Sequence, residues 1–259
     1  MLRFRCLGSG SEGNALIVES RDGLFATRVL VDNGFGPRQL ESRLARAGLG
    51  LDDLDAIFVT HEHSDHADGV AALLERRRIP LFATRGTAAA ARLDGAGVDL
   101  RVLRAGVAVE LGALRVEPFA VPHDAGEPVQ FVFDDGARRF GLLTDIGAPT
   151  AAVEDALARL DALMLECNHD AELLQAGDYP AFLKARIGGD RGHLSNAQAA
   201  ALLARIDRGR LRCVVAAHLS RKNNAPELAQ AALAAVLNCA PAEVLVARQA
   251  DGLDWVTVD

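Results

Sequence analysis

The segment of residues 60–66 restricts the possible folds of this chain more than any other feature of the sequence. It reads THEHSDH and follows a four-residue apolar run, which is typical of a buried strand. Residues two positions apart on extended backbone point the same way, so His61 and His63 can share one metal ion. Asp65 and His66 are adjacent and point apart, so they can reach toward a second ion. A solvated polar turn is the alternative, but three histidines and one aspartate within six residues argue against it.

Other histidines and one aspartate occur where ligands are usually presented. His123, His193 and His218 each adjoin a predicted strand–loop junction, and Asp145 comes just after an apolar strand. Imidazole and carboxylate ligands suit Zn, Mn or Fe, and no thiolate at these positions forces the choice. The sequence therefore predicts a metal site built from residues that follow several strands.

The overall composition is that of a globular protein, and it restricts the partners. The chain has 259 residues, and we expect residues 1–259 to form a single domain. The net charge of −7 gives no global positive field for nucleic acid, so a polyanionic substrate would need a local patch and metal ions. The four cysteines lie far apart, and we expect buried, reduced thiols. No leader peptide or membrane-spanning run is apparent, so we expect a cytoplasmic protein without membrane partners.

Hydrophobic periodicity predicts strands and helices that recur in two similar halves. The predicted strands are 2–7, 15–19, 28–31, 56–59, 81–83, 101–103, 107–111, 114–120, 130–134, 140–144, 162–165, 213–217, 244–247 and 253–258. The predicted helices are 37–47, 67–77, 150–160, one that Ser195 caps and that runs to about Ile206, and 226–237. Strands open each half and helices follow, which predicts an α/β fold with two β layers between outer helices, an αββα sandwich.

The order of the candidate ligands is similar to the ligand series of the metallo-β-lactamase superfamily. The matching positions are His61, His63, Asp65, His66, His123, Asp145 and His218. The resemblance implies the four-layer αββα sandwich of that superfamily and two divalent metal ions. It implies a first ion held by His61, His63 and His123, a second held by Asp65, His66 and His218, and Asp145 as the bridge. Asp32 matches the early strand-end aspartate of that family, which usually contacts the ligand side chains and not the metal.

Four further strings resemble the YycJ/WalJ type of this superfamily, which is associated with 5′→3′ exonuclease activity on DNA. They are GSGSEGN at 8–14, LECNHD at 165–170, GHLSN at 192–196 and HLSRKNN at 218–224. The resemblance implies a DNA exonuclease in which two metal ions activate water and neutralise the phosphate. Asn33 is a departure, because many relatives have a small residue or Cys at that position.

Two other functions stay open on the sequence alone. A small-molecule hydrolase acting on a thioester, lactone or cyclic phosphodiester would use the same metals, and the acidic net charge favours it. The basic pair Arg221 and Lys222 favours DNA instead. A binding module with vestigial metals is the third function, and the complete ligand set argues against it.

The same strings supply candidates for catalysis and for substrate contact. His193 lies just before the predicted helix cap at Ser195, so it can contact a phosphate or protonate the leaving oxygen, or simply pack. We assign catalysis to Asp65 and His193. His169 either lines the site or only orients a loop. The predicted substrate contacts are Ser195, Asn196, Arg221, Lys222, Asn223 and Asn224, with a solvated loop as the alternative for the last four.

The glycines near the N-terminus form a pattern with two interpretations. Gly8, Gly10 and Gly13 spell the dinucleotide-binding fingerprint, which must open a helix. The residues after them predict a strand instead. We therefore expect a tight turn close to the metal centre.

Overall fold

The computed structural model of this chain describes residues 1–23 and 25–259, and the described strands form two sheets of seven. The strands are β1 (Leu2–Gly8), β2 (Ala15–Asp22), β3 (Phe25–Val31), β4 (Ala56–Phe58), β5 (Leu81–Thr84), β6 (Leu100–Leu103), β7 (Val109–Leu111), β8 (Leu114–Ala120), β9 (Val129–Asp134), β10 (Arg139–Leu143), β11 (Ala162–Glu166), β12 (Cys213–Ala217), β13 (Leu245–Val246) and β14 (Leu253–Thr257).

Both sheets follow the same plan, an antiparallel half joined to a parallel half. The first has the order β14-β1-β2-β3-β4-β5-β6 and becomes parallel from β3 onward. The second has the order β13-β12-β11-β10-β9-β8-β7 and is parallel from β10 to β13. Parallel strands end at the same edge of a sheet, so each sheet gathers the carboxyl ends of several strands at one edge.

Helices pack on the outer face of each sheet or lie in the loops at the sheet edges. They are α1 (Pro37–Arg46), α2 (Ser64–Ala67), α3 (Val70–Arg76), α4 (Arg85–Ala90), α5 (Ala151–Ala156), α6 (Ala171–Ala176), α7 (Ala181–Ile187), α8 (Asn196–Arg205) and α9 (Pro226–Leu237). Short 3-10 turns occupy Leu51–Asp53 and Pro241–Glu243. None of the helices in the described part of the chain is both long and apolar enough to cross a lipid bilayer.

Three apolar clusters hold the layers together. Between the sheets, Phe4 of β1 stacks on Phe140 of β10 with ring centroids 4.1 Å apart. The strands alternate, so Val29 and Val31 face this inner cluster while Leu30 faces the helices outside. Burial of these faces removes apolar surface from water at about 25 cal/mol per Å², which favours the layered arrangement. The predicted αββα sandwich is therefore confirmed.

The structure differs from the sequence prediction mainly in the helices. The predicted helix 67–77 begins earlier and breaks into α2 and α3 at Gly69, where a Cβ would lie 2.0 Å from the Phe35 carbonyl oxygen. Asp65 and His66 consequently lie on a helical turn rather than on extended backbone. The predicted helix 150–160 corresponds to α5, which ends earlier, at Ala156. Helices α4, α6 and α7 were not predicted from the sequence.

The cysteines match the prediction in part. All four are free thiols. Cys6 and Cys167 are buried, as expected, whereas Cys213 and Cys239 are partly exposed, so the expectation of four buried thiols was wrong for these two.

Candidate metal centre

The predicted metal ligands meet at the carboxyl ends of the parallel strands. Asp32 and His61 follow β3 and β4 in the first sheet, and Asp145 and His218 follow β10 and β12 in the second. In sheets of this kind ligands bind at the carboxyl edge, because the loops there can present side chains without disturbing the sheet. The shared plan of the two sheets thus places two sets of loop residues next to each other.

Three histidines form the first group of potential ligands. The donor atoms of His61, His63 and His123 lie within 4.8 Å of one another. His63 Nδ1 is 3.2 Å from His123 Nε2. The spacing of two residues between His61 and His63 therefore does bring both imidazoles to one point, and His123 reaches the same point from the loop after β8.

A second group lies beside the first and shares its neighbours. Asp65, His66 and His218 have donor atoms within the same 4.8 Å limit, and so do His61, His66 and Asp145. The Asp145 Oδ2 atom is 3.1 Å from His66 Nε2, and its Oδ1 atom is 3.2 Å from His218 Nδ1. Asp145 consequently lies between the two groups, which is the place that a bridging carboxylate requires.

Unpaired buried atoms show that this arrangement fits a cation. Among the described residues, His61 Nε2 and His218 Nε2 are buried and have no hydrogen-bond partner, and Asp145 Oδ2 faces His66 Nε2 at 3.1 Å. Buried polar atoms are nearly always paired, so unpaired nitrogens that point into a cluster of carboxylates indicate a place suited to a positive ion. Imidazole nitrogen and carboxylate oxygen are both good ligands for divalent ions such as Zn²⁺. The donor set therefore suits divalent metal ions.

The other nitrogen of each ligand histidine is held by the surrounding structure. His66 Nδ1 lies 2.8 Å from Asp32 Oδ2, and His61 Nδ1 lies 2.9 Å from the hydroxyl of Thr60, which donates to the same Asp32 oxygen. His123 Nδ1 lies 3.0 Å from the Gly192 carbonyl oxygen. Such contacts fix the tautomer and orientation of metal-binding histidines. Asp32 takes the supporting place that the resemblance assigns to it.

Glu166, at the end of β11, is a site residue that the sequence reading did not identify. Its Oε1 atom lies 2.8 Å from His193 Nδ1 and 3.2 Å from His218 Nδ1. Its Oε2 atom accepts hydrogen bonds from the backbone N–H groups of Ile146 and Leu194, each at 3.1 Å. A carboxylate directly after a buried apolar strand, like Asp32 and Asp145, was the signal that could have revealed it.

Three site residues have left-handed backbone, which is uncommon for residues other than glycine. The φ angles are 59° for Asp32, 53° for Asp145 and 54° for His218. Each lies one or two residues after a parallel strand, where the chain must turn sharply out of the sheet. Such conformations cluster at functional sites, where the surrounding structure supports their cost.

The charges of the site divide its histidines into two kinds. Burial holds the pKa of His61 well below its usual value, and it also lowers the pKa of His123, so both remain neutral donors. With no ion bound, burial opposes the charged form of His218 too, but the carboxylates of Asp145, Asp65 and Glu166 together outweigh it and raise the pKa of His218 to about 10. In return, the charged histidines hold the pKa of Asp145 well below its usual value despite burial. The carboxylates are therefore ionised and attract cations.

Comparison with known proteins assigns the chain to a family. The family model of the beta-lactamase superfamily domain matches residues 27–218. Exodeoxyribonuclease YycJ of Bacillus anthracis is 35% identical over 239 residues, covering 91% of this chain and 89% of that protein. Exodeoxyribonuclease WalJ of Streptococcus pneumoniae is 34% identical over 234 residues, covering 88% and 85%. The chain belongs to the metallo-β-lactamase superfamily.

A solved structure with the metallo-β-lactamase fold confirms the fold of this chain. The metallo-β-lactamase fold protein YhfI of Bacillus subtilis superposes with a TM-score of 0.76 at 15% sequence identity, covering 98% of each chain. Family membership and the donor set together make the chain a metal-dependent hydrolase.

Four of the predicted substrate contacts use their polar atoms within the fold. The Ser195 hydroxyl caps α8 through Gln198, as the sequence predicted for the cap. Asn196 and Asn224 hydrogen-bond each other at 2.8 and 2.9 Å. Asn223 is buried and contacts Ser220. These side chains shape the loops around the site, and their role as substrate contacts stays a prediction.

The cationic residues after His218 are placed differently. Arg221 and Lys222 are both exposed on the rim. Arg221 contacts the exposed Glu12, and Lys222 Nζ lies 5.3 Å from the centre of the Tyr179 ring. Both cations can therefore be reached from solvent.

A cavity opens beside the ligand groups and contains His193. Its volume is about 180 Å³. Its walls are His63, Asp124, Leu183, Arg186, Ile187, Gly192 and His193. Because His193 Nδ1 faces Glu166, its Nε2 atom is left for the cavity.

His169 and the N-terminal loop complete the surroundings. His169 is buried with an unpaired Nδ1, but it belongs to none of the ligand groups in the described residues. The glycine-rich loop leads into β2 rather than a helix, and its Asn14 side chain donates to Asp65 Oδ2 at 3.2 Å. The Ser9 hydroxyl accepts the His218 N–H at 2.9 Å. The predicted turn near the metal centre is therefore correct, and the dinucleotide fingerprint is coincidental.

Proposed function

We propose that this protein is a DNA exonuclease that removes nucleotides in the 5′→3′ direction. The observation that carries the proposal is its identity of 35% with exodeoxyribonuclease YycJ across 91% of the chain. The same residues that the structure gathers into ligand groups lie within this similar region. Fold alone would not distinguish a nuclease from other hydrolases, since one fold supports many reactions.

We assign two divalent ions to the site. His61, His63 and His123 would hold one ion, Asp65, His66 and His218 the other, and Asp145 would contact both. When bound, such ions acidify a water nucleophile and neutralise charge on a phosphate oxygen. The nitrogen and oxygen donors suit Zn or Mn, and Fe is a further candidate.

Residues of the chain orient the proton donor and the metal ligands. Glu166 orients His193 by accepting from its Nδ1, which leaves Nε2 toward the cavity. From there His193 can donate a proton to the leaving oxygen as the phosphodiester breaks. Asn14 donates a hydrogen bond to Asp65, which would support catalysis as a metal ligand.

The exposed cations on the rim would receive the rest of the substrate. Arg221 and Lys222 come three and four residues after the ligand His218, so phosphates bound to them would lie near the reacting one. With a net charge of −7, the protein depends on such local contacts to hold a polyanion.

End-labelled DNA tests this proposal. Purified protein with Mn²⁺ should release a 5′ label at once and should shorten a 3′-labelled strand stepwise. The variant His61→Ala should lose bound metal and activity together. If protein with confirmed bound metal leaves DNA intact but turns over RNA, a thioester, a lactone or a cyclic phosphodiester, the DNA exonuclease proposal is wrong.

A further inference from the structure

An exposed phenylalanine lies next to the cavity. Phe182 of α7 has 75% of its surface exposed, although burial of an aromatic ring is strongly favourable. The following residues of the same helix, Leu183, Arg186 and Ile187, line the cavity that contains His193. The His193 N–H donates to the Ile187 carbonyl oxygen at 2.8 Å, so α7 is tied to the catalytic histidine.

Phe182 shares a helix face with a cation of the cavity wall. Arg186 lies four residues further on, one helical turn away. The Arg186 guanidinium is 2.7 Å from Asp124 Oδ2, and the Asp124 carbonyl oxygen is 3.3 Å from His63 Nε2. Phe182 is therefore one turn from a chain of contacts that ends at a metal-ligand candidate.

Cations and a second aromatic ring accompany Phe182 on this rim. The Lys222 Nζ atom lies 5.3 Å from the centre of the Tyr179 ring, and Arg186 lies one helical turn beyond Phe182. Tyr179 lies just before Pro180, the N-cap residue of α7. Exposed aromatic rings among cations are typical of surfaces that bind single-stranded nucleic acid, where bases stack on the rings and cations contact phosphates.

The size of the cavity fits the same occupant. At about 180 Å³ it is smaller than a usual ligand pocket of about 300 to 1,000 Å³. This volume suits a phosphate better than a whole nucleotide, which leaves the attached base for the surface beside α7.

We propose that Phe182 stacks on an unpaired nucleobase beside the phosphate that is cleaved, so that the enzyme takes a single-stranded 5′ end. This inference rests on the proposed nuclease function. Stacking contacts of this kind are strong enough to change affinity about 10-fold when the ring is removed.

Variants of two exposed phenylalanines test the inference. Phe182→Ala should raise KM for a 5′ overhang about 10-fold with little change in kcat, and Phe182→Trp should retain the wild-type KM. Phe25→Ala is the matched control, because Phe25 is 84% exposed but begins β3 at the end away from Asp32. The affinity for a phosphorothioate-protected overhang, measured by fluorescence anisotropy, should fall in parallel with the rise in KM.

An abasic substrate separates stacking from a general effect on the rim. Removing the base next to the cleaved phosphate should weaken binding by wild type about 10-fold but should change binding by Phe182→Ala little. Stacking is refuted if the abasic site lowers the affinity of both proteins by the same factor. It is also refuted if Phe182→Ala has the same KM as Phe25→Ala. In both cases the nuclease function stands as long as DNA is still cleaved. If wild type with bound metal does not cleave DNA at all, both proposals are refuted.

Discussion

Asp32 Oδ2 lies 2.8 Å from His66 Nδ1, and both side chains are at least 96% buried. This contact orients His66 so that its Nε2 atom points at Asp145 and the second ligand group. Asp32 is not among the potential metal ligands in the described part of the chain, but the orientation of the His66 ring depends on it.

Asp32→Asn should therefore weaken metal binding about 10- to 100-fold without unfolding the protein. Asparagine has the same shape and tolerates the left-handed backbone at φ 59°, but it lacks the charge that fixes the His66 tautomer. Competition with a chelator measures the affinity, and circular dichroism checks the fold. Unchanged metal affinity would show that Thr60 and the backbone alone suffice to orient His66.

Two neighbouring glycines provide a test of how tightly the metal loop is packed. A Cβ at Gly34 would lie 2.0 Å from the Asp65 carbonyl oxygen, whereas a Cβ at Gly36 would have no atom within 4 Å. Gly34→Ala should displace the backbone at Asp65, reduce bound metal at least 10-fold and lower stability by about 1 to 3 kcal/mol or more. Gly36→Ala, two residues away, should retain wild-type metal content and should lower stability by about 1 kcal/mol at most, the cost of alanine at the N-cap of α1.

Metal analysis and urea unfolding of the two alanine variants provide the measurement. Equal losses in both would mean that the loop responds to any added side chain, rather than to the close approach at Asp65.

Much of the ligand set could be predicted from sequence because its members are rare residue types in a recognisable order. Histidine occurs only seven times in the chain, and His61, His63 and His66 fall within one segment. The alternation of strands and helices likewise predicted the layers, because hydrophobic periodicity depends on local neighbours alone.

The rest depends on contacts between distant residues. Glu166 finds His193 and His218 at separations of 27 and 52 residues, which no local pattern reports. Asn196 and Asn224 are paired across 28 residues, so two side chains that look free in the sequence are occupied in the fold. At the break before α3, the Gly69 N–H donates to the Asn33 carbonyl oxygen, which lies 36 residues away in the sequence.

Glu166 and His193 should act as a unit in catalysis. His193→Ala should keep its bound metal but lower kcat about 100-fold or more, since a positioned proton donor contributes that much. Glu166→Gln should lower kcat about 10- to 100-fold by releasing the His193 ring. Because both substitutions disable the same proton donor, the loss in the double variant should be smaller than the product of the single losses.

Kinetics with metal analysis of the three variants decides this point. Loss of metal from His193→Ala would make His193 a ligand instead of a proton donor. Fully multiplicative losses would show that Glu166 acts through His218 alone.

A buried ion cluster far from the metal centre should govern stability in acid. Glu19 of β2 has no exposed side-chain surface and lies opposite Arg3 of β1 and Arg28 of β3 in the sheet register. The nearest nitrogen–oxygen distances are 2.6 Å to each of these arginines and 2.5 Å to Arg21. Burial alone would raise the pKa of Glu19, but its hydrogen bonds to the arginines outweigh this and lower the pKa to about 2.

A carboxyl group whose pKa is lower in the folded state stabilises the fold above its unfolded pKa of 4.5, and this contribution is lost as the pH falls toward about 2. Glu19→Gln should therefore lower the free energy of unfolding at pH 6 by about 1 to 3 kcal/mol, since three arginines lose their acceptor. Urea unfolding of both proteins in EDTA, which excludes metal effects, should show this difference shrinking between pH 4.5 and pH 2. A difference that stays constant across that range would mean that Glu19 contributes by shape and not by charge.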